Sequence, residues 1–219
     1  MFYPNRQALG DQLAVKLMQY KDTESIIFCL KKSSLLSCIE LAAHLHAYIY
    51  ILQYSEISDP YDLTRSLGAV TSKGEFVLNP TISQGEYEFI QQSFQSVIEE
   101  RKRTAFSAIN AEKDPNPNFD PRAFNSRNIL LFADILKTSF QIQIAENILK
   151  SYAPSMTAGA VGNITTEVSD KFWIDTDGVT YMDVLPNSLF EDDHYFDQPD
   201  PYTDEEKILM ANNISLYWA

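Results

Sequence analysis

Residues 128–152 have the sequence NILLFADILKTSFQIQIAENILKSY. The first six of them are almost entirely apolar, which is typical of a strand buried on both faces of a parallel sheet. Apolar side chains then recur at helical spacing, at Phe140, Ile144, Ile148 and Tyr152. The stretch therefore predicts a strand at 128–133, a turn at 134–139 and a helix that begins at Phe140.

The predicted turn lies where open α/β sheets bind ligands, at the carboxyl end of a strand and before the amides of a helix. Lys137 could supply positive charge there, and Thr138 and Ser139 could donate to a phosphate or simply cap the helix. Asp134 could hold a sugar hydroxyl or serve as the helix N-cap. The turn contains no glycine, so its chemistry differs from that of a phosphate-binding loop.

Strand patterns and helical patterns alternate along the rest of the chain. Helices are predicted at 5–20, 35–46, 83–110 and 203–217, and strands at 25–30, 48–54 and 156–161. Hairpins are predicted at 67–78 and 171–184, and a polar loop at 55–62. This alternation predicts one α/β domain over residues 1–219, with a mainly parallel twisted sheet flanked by helices, a small hairpin appendage and an irregular acidic segment at 186–202.

Charge is concentrated near the end of the sequence. The net charge is −13, and residues 165–219 hold 13 Asp/Glu against 2 Lys/Arg. This balance excludes general electrostatic binding to nucleic acid or to anionic membranes. The sequence has neither an apolar run of membrane-spanning length nor a signal peptide at its start, so we expect a cytoplasmic protein.

The potential metal ligands do not form a recognisable motif. His44 and His46 are two residues apart and would point to different faces of a helix. The sequence EDDH at 191–194 has suitable residue types, but without a second ligand set it is interpreted as a solvated acidic loop. Cys29 and Cys38 are interpreted as buried thiols in a reducing compartment. We therefore expect no metal site and no cofactor.

Several short motifs occur in a characteristic order. They are Arg6, Ala8, Gly10, Leu13 and Ala14, then GAV at 68–70, GEFVLN at 74–79, EERKR at 99–103, YFD at 195–197 and TDEE at 203–206. In their order and spacing they resemble the type I phosphoribosyltransferase family, in particular its stand-alone predicted bacterial members. The resemblance covers nearly the whole chain, and it implies the phosphoribosyltransferase fold.

The resemblance also implies what the turn at 134–139 should look like. In that family it reads Val-Asp-Asp-Gly-x-Ala-Thr-Gly-x-Thr, where the two acids hold the ribose hydroxyls of phosphoribosyl pyrophosphate and the loop amides wrap its 5′-phosphate. Here Ala133 replaces the first acid and Asp134 is retained as a vestige, while Ile135 and Ser139 replace the two glycines. An isoleucine resists positive φ, and its side chain blocks close approach of a phosphate.

Two further sites implied by the resemblance are also altered. The pyrophosphate turn Pro-Arg-Gly-Gly corresponds to Lys31, Lys32, Ser33 and Ser34, and an Arg-Lys pair corresponds to Ser55 and Glu56. At an effective dielectric constant of ~20, each unit charge at ~4 Å is worth ~4 kcal/mol. Since such fixed charges stabilise the transition state of these transferases, their combined loss predicts an inactive protein.

The sequence thus favours a catalytically degenerate phosphoribosyltransferase-like protein, retained for binding, regulation or assembly as a homodimer or with an active relative. One alternative is a working transferase that uses Asp134, Lys137 and Mg²⁺. Another is a sensor of nucleotides or small anions. The candidate phosphate-binding residues are Lys31, Lys32, Ser33, Ser34, Lys137, Thr138 and Ser139.

Overall fold

A computed structural model describes residues 2–185 and 191–217. The strands are β1 (Ile26–Cys29), β2 (Tyr48–Ile51), β3 (Tyr54–Ser58), β4 (Ser66–Thr71), β5 (Phe76–Leu78), β6 (Asn128–Leu136), β7 (Met156–Thr165) and β8 (Val179–Leu185). The helices are α1 (Arg6–Lys16), α2 (Leu35–Leu45), α3 (Gln84–Ala111), α4 (Phe140–Leu149), α5 (Thr166–Asp175) and α6 (Asp204–Tyr217). No helix within these ranges is both long and apolar enough to cross a bilayer.

The main sheet has five strands in the order β2-β1-β6-β7-β8, and all of its pairings are parallel. Helices cover both faces: α1, α2 and α6 contribute to the apolar cluster on one face, and α4 and α5 to the cluster on the other. The predicted α/β class with a mainly parallel sheet is therefore confirmed. Strand β6 lies at the centre, and its side chains are buried from Ile129 to Leu136 because both faces are covered.

Local sequence accounts for the helix ends that border this sheet. Helix α1 begins after Asn5, whose side-chain oxygen accepts a hydrogen bond from the Ala8 amide at 2.9 Å. Helix α6 begins with a capping box, in which Glu206 accepts from the Thr203 amide at 2.8 Å and Thr203 accepts from the Glu206 amide at 3.3 Å. The predicted C-terminal helix is confirmed as α6.

A second, antiparallel sheet is formed by β3, β4 and β5, and α3 packs against it. The predicted hairpin at 67–78 is confirmed, and its turn contains Gly74 at a φ of +79°. The polar loop predicted at 55–62 is wrong in its first part, because β3 continues to Ser58 and pairs with β4. Ile57 is buried in this small sheet, and that burial stabilises a strand whose other residues are mostly polar.

The hairpin predicted at 171–184 is wrong. Its first half belongs to helix α5, and its second half is β8, which pairs in parallel with β7. Val168 and Phe172 are both buried at a spacing of four residues, which is the spacing of one helix face. Of the irregular segment predicted at 186–202, residues 186–190 lie outside the described residues. Beyond them the chain forms a short 3₁₀ turn at Asp192–Tyr195.

Candidate functional site

The carboxyl end of β6 differs from the predicted turn. Asp134, Ile135 and Leu136 all belong to the strand and are buried, and the last two pair with Asn163 and Ile164 of β7. The N-cap role considered for Asp134 is therefore wrong. The residue before α4 is Ser139, and its side chain makes no capping hydrogen bond. The strand is longer than predicted because Ile135 and Leu136 are apolar and fill the core below the sheet edge.

Asp134 is held by a buried arginine of the N-terminal helix. Arg6 Nε donates to Asp134 Oδ2 at 2.9 Å, and both side chains are at least 95% buried. A second nitrogen of the guanidinium donates to Asp193 Oδ1 at 2.6 Å, and the group lies over the Phe196 ring at 4.5 Å. Asp134 thus faces the chain's own cation, and three distant segments of the sequence meet at this point.

Burial raises the pKa of Asp134 to about 6. The positive charges of Arg6 and Lys31 and the hydrogen bond from Arg6 act in the opposite direction, but they do not offset the loss of hydration. The backbone amide of Asp134 donates to Ser34 Oγ at 2.9 Å. This serine, one of the candidate phosphate ligands, therefore bonds to the strand.

We expect the Asp134 carboxyl to titrate near pH 6 in the folded protein, against 3.8 for an ordinary aspartate. The native chain then binds more protons than the unfolded chain between these values, so the contribution of Asp134 to the free energy of unfolding falls as the pH rises from about 4 to 6. Asp134→Asn should flatten this dependence, whereas Asp120→Asn at an exposed site should leave it. Carboxyl NMR titration provides the direct check, and titration below pH 4 would contradict the expectation.

One carboxylate lies between two of the candidate lysines. Lys31 Nζ donates to Asp192 Oδ2 at 2.8 Å and to the Ile135 carbonyl at 2.7 Å. Lys137 Nζ lies 3.0 Å from Asp192 Oδ1. Burial acts to raise the pKa of Asp192, but the two lysines outweigh it and the pKa is lowered. The interpretation of 191–194 as a solvated loop is therefore wrong at Asp192, whose side chain is 25% exposed.

Lys32 and Ser33 line a cleft that does not include Asp192. With Lys31, Leu52, Tyr54, Ser55 and Glu56 they line an open cleft of about 480 Å³. The turn after β1 therefore lies beside Ser55 and Glu56, the two positions that correspond to the Arg-Lys pair implied by the resemblance. Lys32 Nζ also lies 2.8 Å from Glu112 Oε2, at the end of α3.

Thr138 and Ser139 occupy the short connection between β6 and α4. Thr138 Oγ1 donates to Gln141 Oε1 at 3.3 Å, and Ser139 is buried. None of residues 134–140, which all lie in the described part of the chain, has a positive φ. The connection is therefore an ordinary strand-to-helix turn, and it lacks the left-handed residues that let a glycine-rich loop close around a phosphate.

A group of possible metal ligands lies away from this edge, on the surface between α1 and α2. Asp11, Glu40 and His44 each place a ligand atom within 4.8 Å of the others, and His44 Nε2 is 2.8 Å from Asp11 Oδ1. His46 is separate and contacts Asp22. The sequence analysis considered only His44 and His46 as a possible ligand pair. It missed Glu40 and His44, whose i, i+4 spacing on one helix face could have indicated this group. The expectation that no metal binds stays a prediction.

The two cysteines lie under the same sheet edge. Cys29 and Cys38 are both buried and free, as the sequence predicts. The Cys29 thiol donates to the Lys31 carbonyl at 3.1 Å, and burial raises the pKa of Cys38 well above its ordinary value. The Cys38 thiol is therefore a poor nucleophile, and both buried side chains act as packing residues.

No protein-family model and no curated protein sequence matches this chain. Among solved structures, TT1426 from Thermus thermophilus superimposes with a TM-score of 0.71 at 20% identity, covering 100% of both chains. A hypoxanthine phosphoribosyltransferase from Staphylococcus aureus gives a TM-score of 0.44 at 13% identity, over 84% of this chain and 74% of its own. A hypothetical protein from Neisseria gonorrhoeae with bound ppGpp gives 0.44 at 11% identity, over 84% and 81%. The chain therefore shares its α/β fold with TT1426 over the full length of both proteins.

Proposed function

We propose that the chain is a phosphoribosyltransferase-like protein that has lost transferase activity and is retained for binding, regulation or assembly. The ordered motifs of the sequence support the family, and the parallel sheet with helices on both faces is compatible with it. The observation that carries the loss of activity is the burial of residues 134–136 in a paired strand. By the resemblance, these positions correspond to the first part of the family's phosphate-binding turn.

A phosphate-binding loop needs backbone amides that have no other hydrogen-bond partner and point at the ligand. At this edge the Asp134 amide already donates to Ser34, and Ile135 and Leu136 pair with β7. Asp134 itself is 2% exposed and bonds to Arg6, so it is not available to ribose hydroxyls. Binding a sugar phosphate here would require β6 to separate from β7 at the centre of the core.

Charge at the candidate site supports the same conclusion. Lys31 and Lys137 both contact Asp192, and Lys32 contacts Glu112. Glu56 adds a further negative charge to the cleft beside Lys32. A polyanionic substrate such as phosphoribosyl pyrophosphate would therefore meet carboxylates at each of these positions, and the lysine charges that could stabilise a leaving pyrophosphate are already paired with them.

The proposal predicts the outcome of a transferase assay. We expect no pyrophosphate release when the protein is incubated with phosphoribosyl pyrophosphate, Mg²⁺ and each common base, while an active phosphoribosyltransferase assayed in parallel releases it. Release that disappears in Asp134→Asn would instead establish the alternative of a divergent transferase that uses Asp134 and Lys137.

A second candidate function is the sensing of a nucleotide or small anion, and the open cleft beside Lys31, Lys32 and Ser33 favours it. Its volume of about 480 Å³ lies within the range of small-molecule sites. A thermal-shift series against nucleotides provides the test, since a ligand at 100 times its Kd adds about 2.7 kcal/mol to the free energy of unfolding. The same melting curves, run over a protein dilution series, test the proposed homodimer, because the melting temperature of a dimer depends on protein concentration.

A further inference from the structure

The acidic segment after β8 places one carboxylate between two ammonium groups that come from separate turns. Lys31 follows β1 and Lys137 follows β6, and Asp192 is more than fifty residues further along the chain. The Asp192 oxygens contact one lysine each, at 2.8 and 3.0 Å. The carboxylate thus bridges the two cations in the way that a bound anion would.

Lys31 has a further contact apart from this carboxylate. Lys31 Nζ is also held by the Ile135 carbonyl at 2.7 Å, at the very end of the central strand. Two ammonium groups that converge on one point repel each other, so an anion between them is strongly favoured. A phosphate dianion carries twice the charge of a carboxylate and has more acceptor oxygens, and it would therefore satisfy this pair better than Asp192 does.

The neighbours of Asp192 hold the segment to the protein independently of the lysines. Asp193 accepts from Arg6 at 2.6 Å, and the Tyr195 carbonyl accepts from the Tyr3 amide at 2.9 Å. The Phe196 ring lies under the Arg6 guanidinium. Because these anchors keep Asp192 beside the lysines, its carboxylate acts at a high effective concentration.

We infer that Lys31 and Lys137 form a binding site for the phosphate group of a small molecule, and that Asp192 occupies this site in cis as a built-in competitor. The inference rests on the proposed function, because it gives the bound anion a regulatory and not a catalytic role. A ligand must displace Asp192, so its apparent affinity is reduced by the fraction of time that the site is open. Binding would release Asp192 while Arg6 keeps the rest of the segment in place.

The test is isothermal titration of Asp192→Asn with inorganic phosphate, pyrophosphate and AMP. We expect at least one of them to bind about tenfold or more tightly than it binds the wild-type chain, since the competing carboxylate is gone. Glu191→Gln is the matched control: it removes the same charge one residue away, from an exposed side chain that makes no capping hydrogen bond, and it leaves both lysine contacts and the Arg6 anchor in place, so it should bind like wild type. Preference for AMP over inorganic phosphate would identify a phosphate monoester as the ligand, and equal binding would identify free phosphate.

A second variant tests whether the gain uses the lysines. Lys137→Met added to Asp192→Asn should abolish the tighter binding, whereas Lys32→Met in the same background should preserve it. In the wild-type chain, saturating phosphate should shift the side-chain carboxyl carbon resonance of Asp192, because the carboxylate leaves the two ammonium groups, and this remains measurable even if a variant folds poorly. The inference is overturned if Asp192→Asn binds no better than Glu191→Gln, or if the gain survives Lys137→Met. Failure of the proposed function has a different signature, pyrophosphate release by the wild-type protein.

Discussion

Replacing Arg6 with methionine should lower the free energy of unfolding by about 3–5 kcal/mol, the usual cost of breaking a buried ion pair by removing one partner. The side chain is 5% exposed, and it contacts Asp134, Asp193 and the Phe196 ring. Methionine fills similar volume but leaves the Asp134 carboxyl buried without its cation. We therefore also expect the pKa of Asp134 to rise further in this variant.

The matched control is Arg122→Met. Arg122 also contacts an aspartate, Asp120, at 2.7 Å, but its side chain is 87% exposed. An exposed pair of this kind contributes between 0 and about 1 kcal/mol. Urea unfolding of the two variants measures the difference. Equal losses would show that burial of the Arg6 pair does not stabilise the fold in the way described.

Gly162→Ala should cost at least about 3 kcal/mol, at the upper end for overpacking of a core. A Cβ at this position in β7 would overlap the Asp134 carbonyl oxygen and would lie 2.8 Å from Leu9 Cδ2. The carbonyl is part of the central strand and cannot rotate away. Because β6, β7 and α1 approach one another closely here, the added methyl group would displace the strand end that carries Asp134.

Gly85→Ala is the control for this substitution. Gly85 lies in the first turn of α3, and no atom would come within 4 Å of the added Cβ. Alanine is the better helix residue, so we expect this variant to gain up to about 1 kcal/mol. Thermal unfolding of both variants provides the comparison, and a Gly162→Ala protein as stable as wild type would contradict the packing at the sheet edge.

Regular elements with strong apolar periodicity were predictable from the sequence. The central strand and the helix from Phe140 follow from local pattern, and so do both capped helix starts at Asn5 and Thr203. Two local patterns gave the wrong element. Lys171–Asp175 has the aromatic and β-branched residues of a strand, yet Phe172 packs as part of a helix; Tyr54–Ser58 looks like a polar loop, yet sheet pairing makes it a strand.

The site was harder to predict than the fold. Ile135 and Leu136 are apolar enough to extend the strand, but the charged Asp134 interrupts the apolar run and led to a predicted strand end at Ala133. The lysines and serines of the two turns were identified as candidates, and the structure places them along one sheet edge. Arg6, which contacts Asp134, and Asp192, which contacts Lys31 and Lys137, come from the two ends of the chain, and local spacing carries no information on such contacts.

The central claim is that the former transferase site no longer binds its sugar phosphate. Its most direct test is isothermal titration of the wild-type protein with phosphoribosyl pyrophosphate and Mg²⁺. Since residues 134–136 are paired in the core and Asp192 occupies the lysines, we predict no saturable binding with a Kd below about 1 mM. Binding in the micromolar range that is lost in Asp134→Asn would contradict this, because it would show that the buried carboxyl and the strand around it still receive the sugar phosphate.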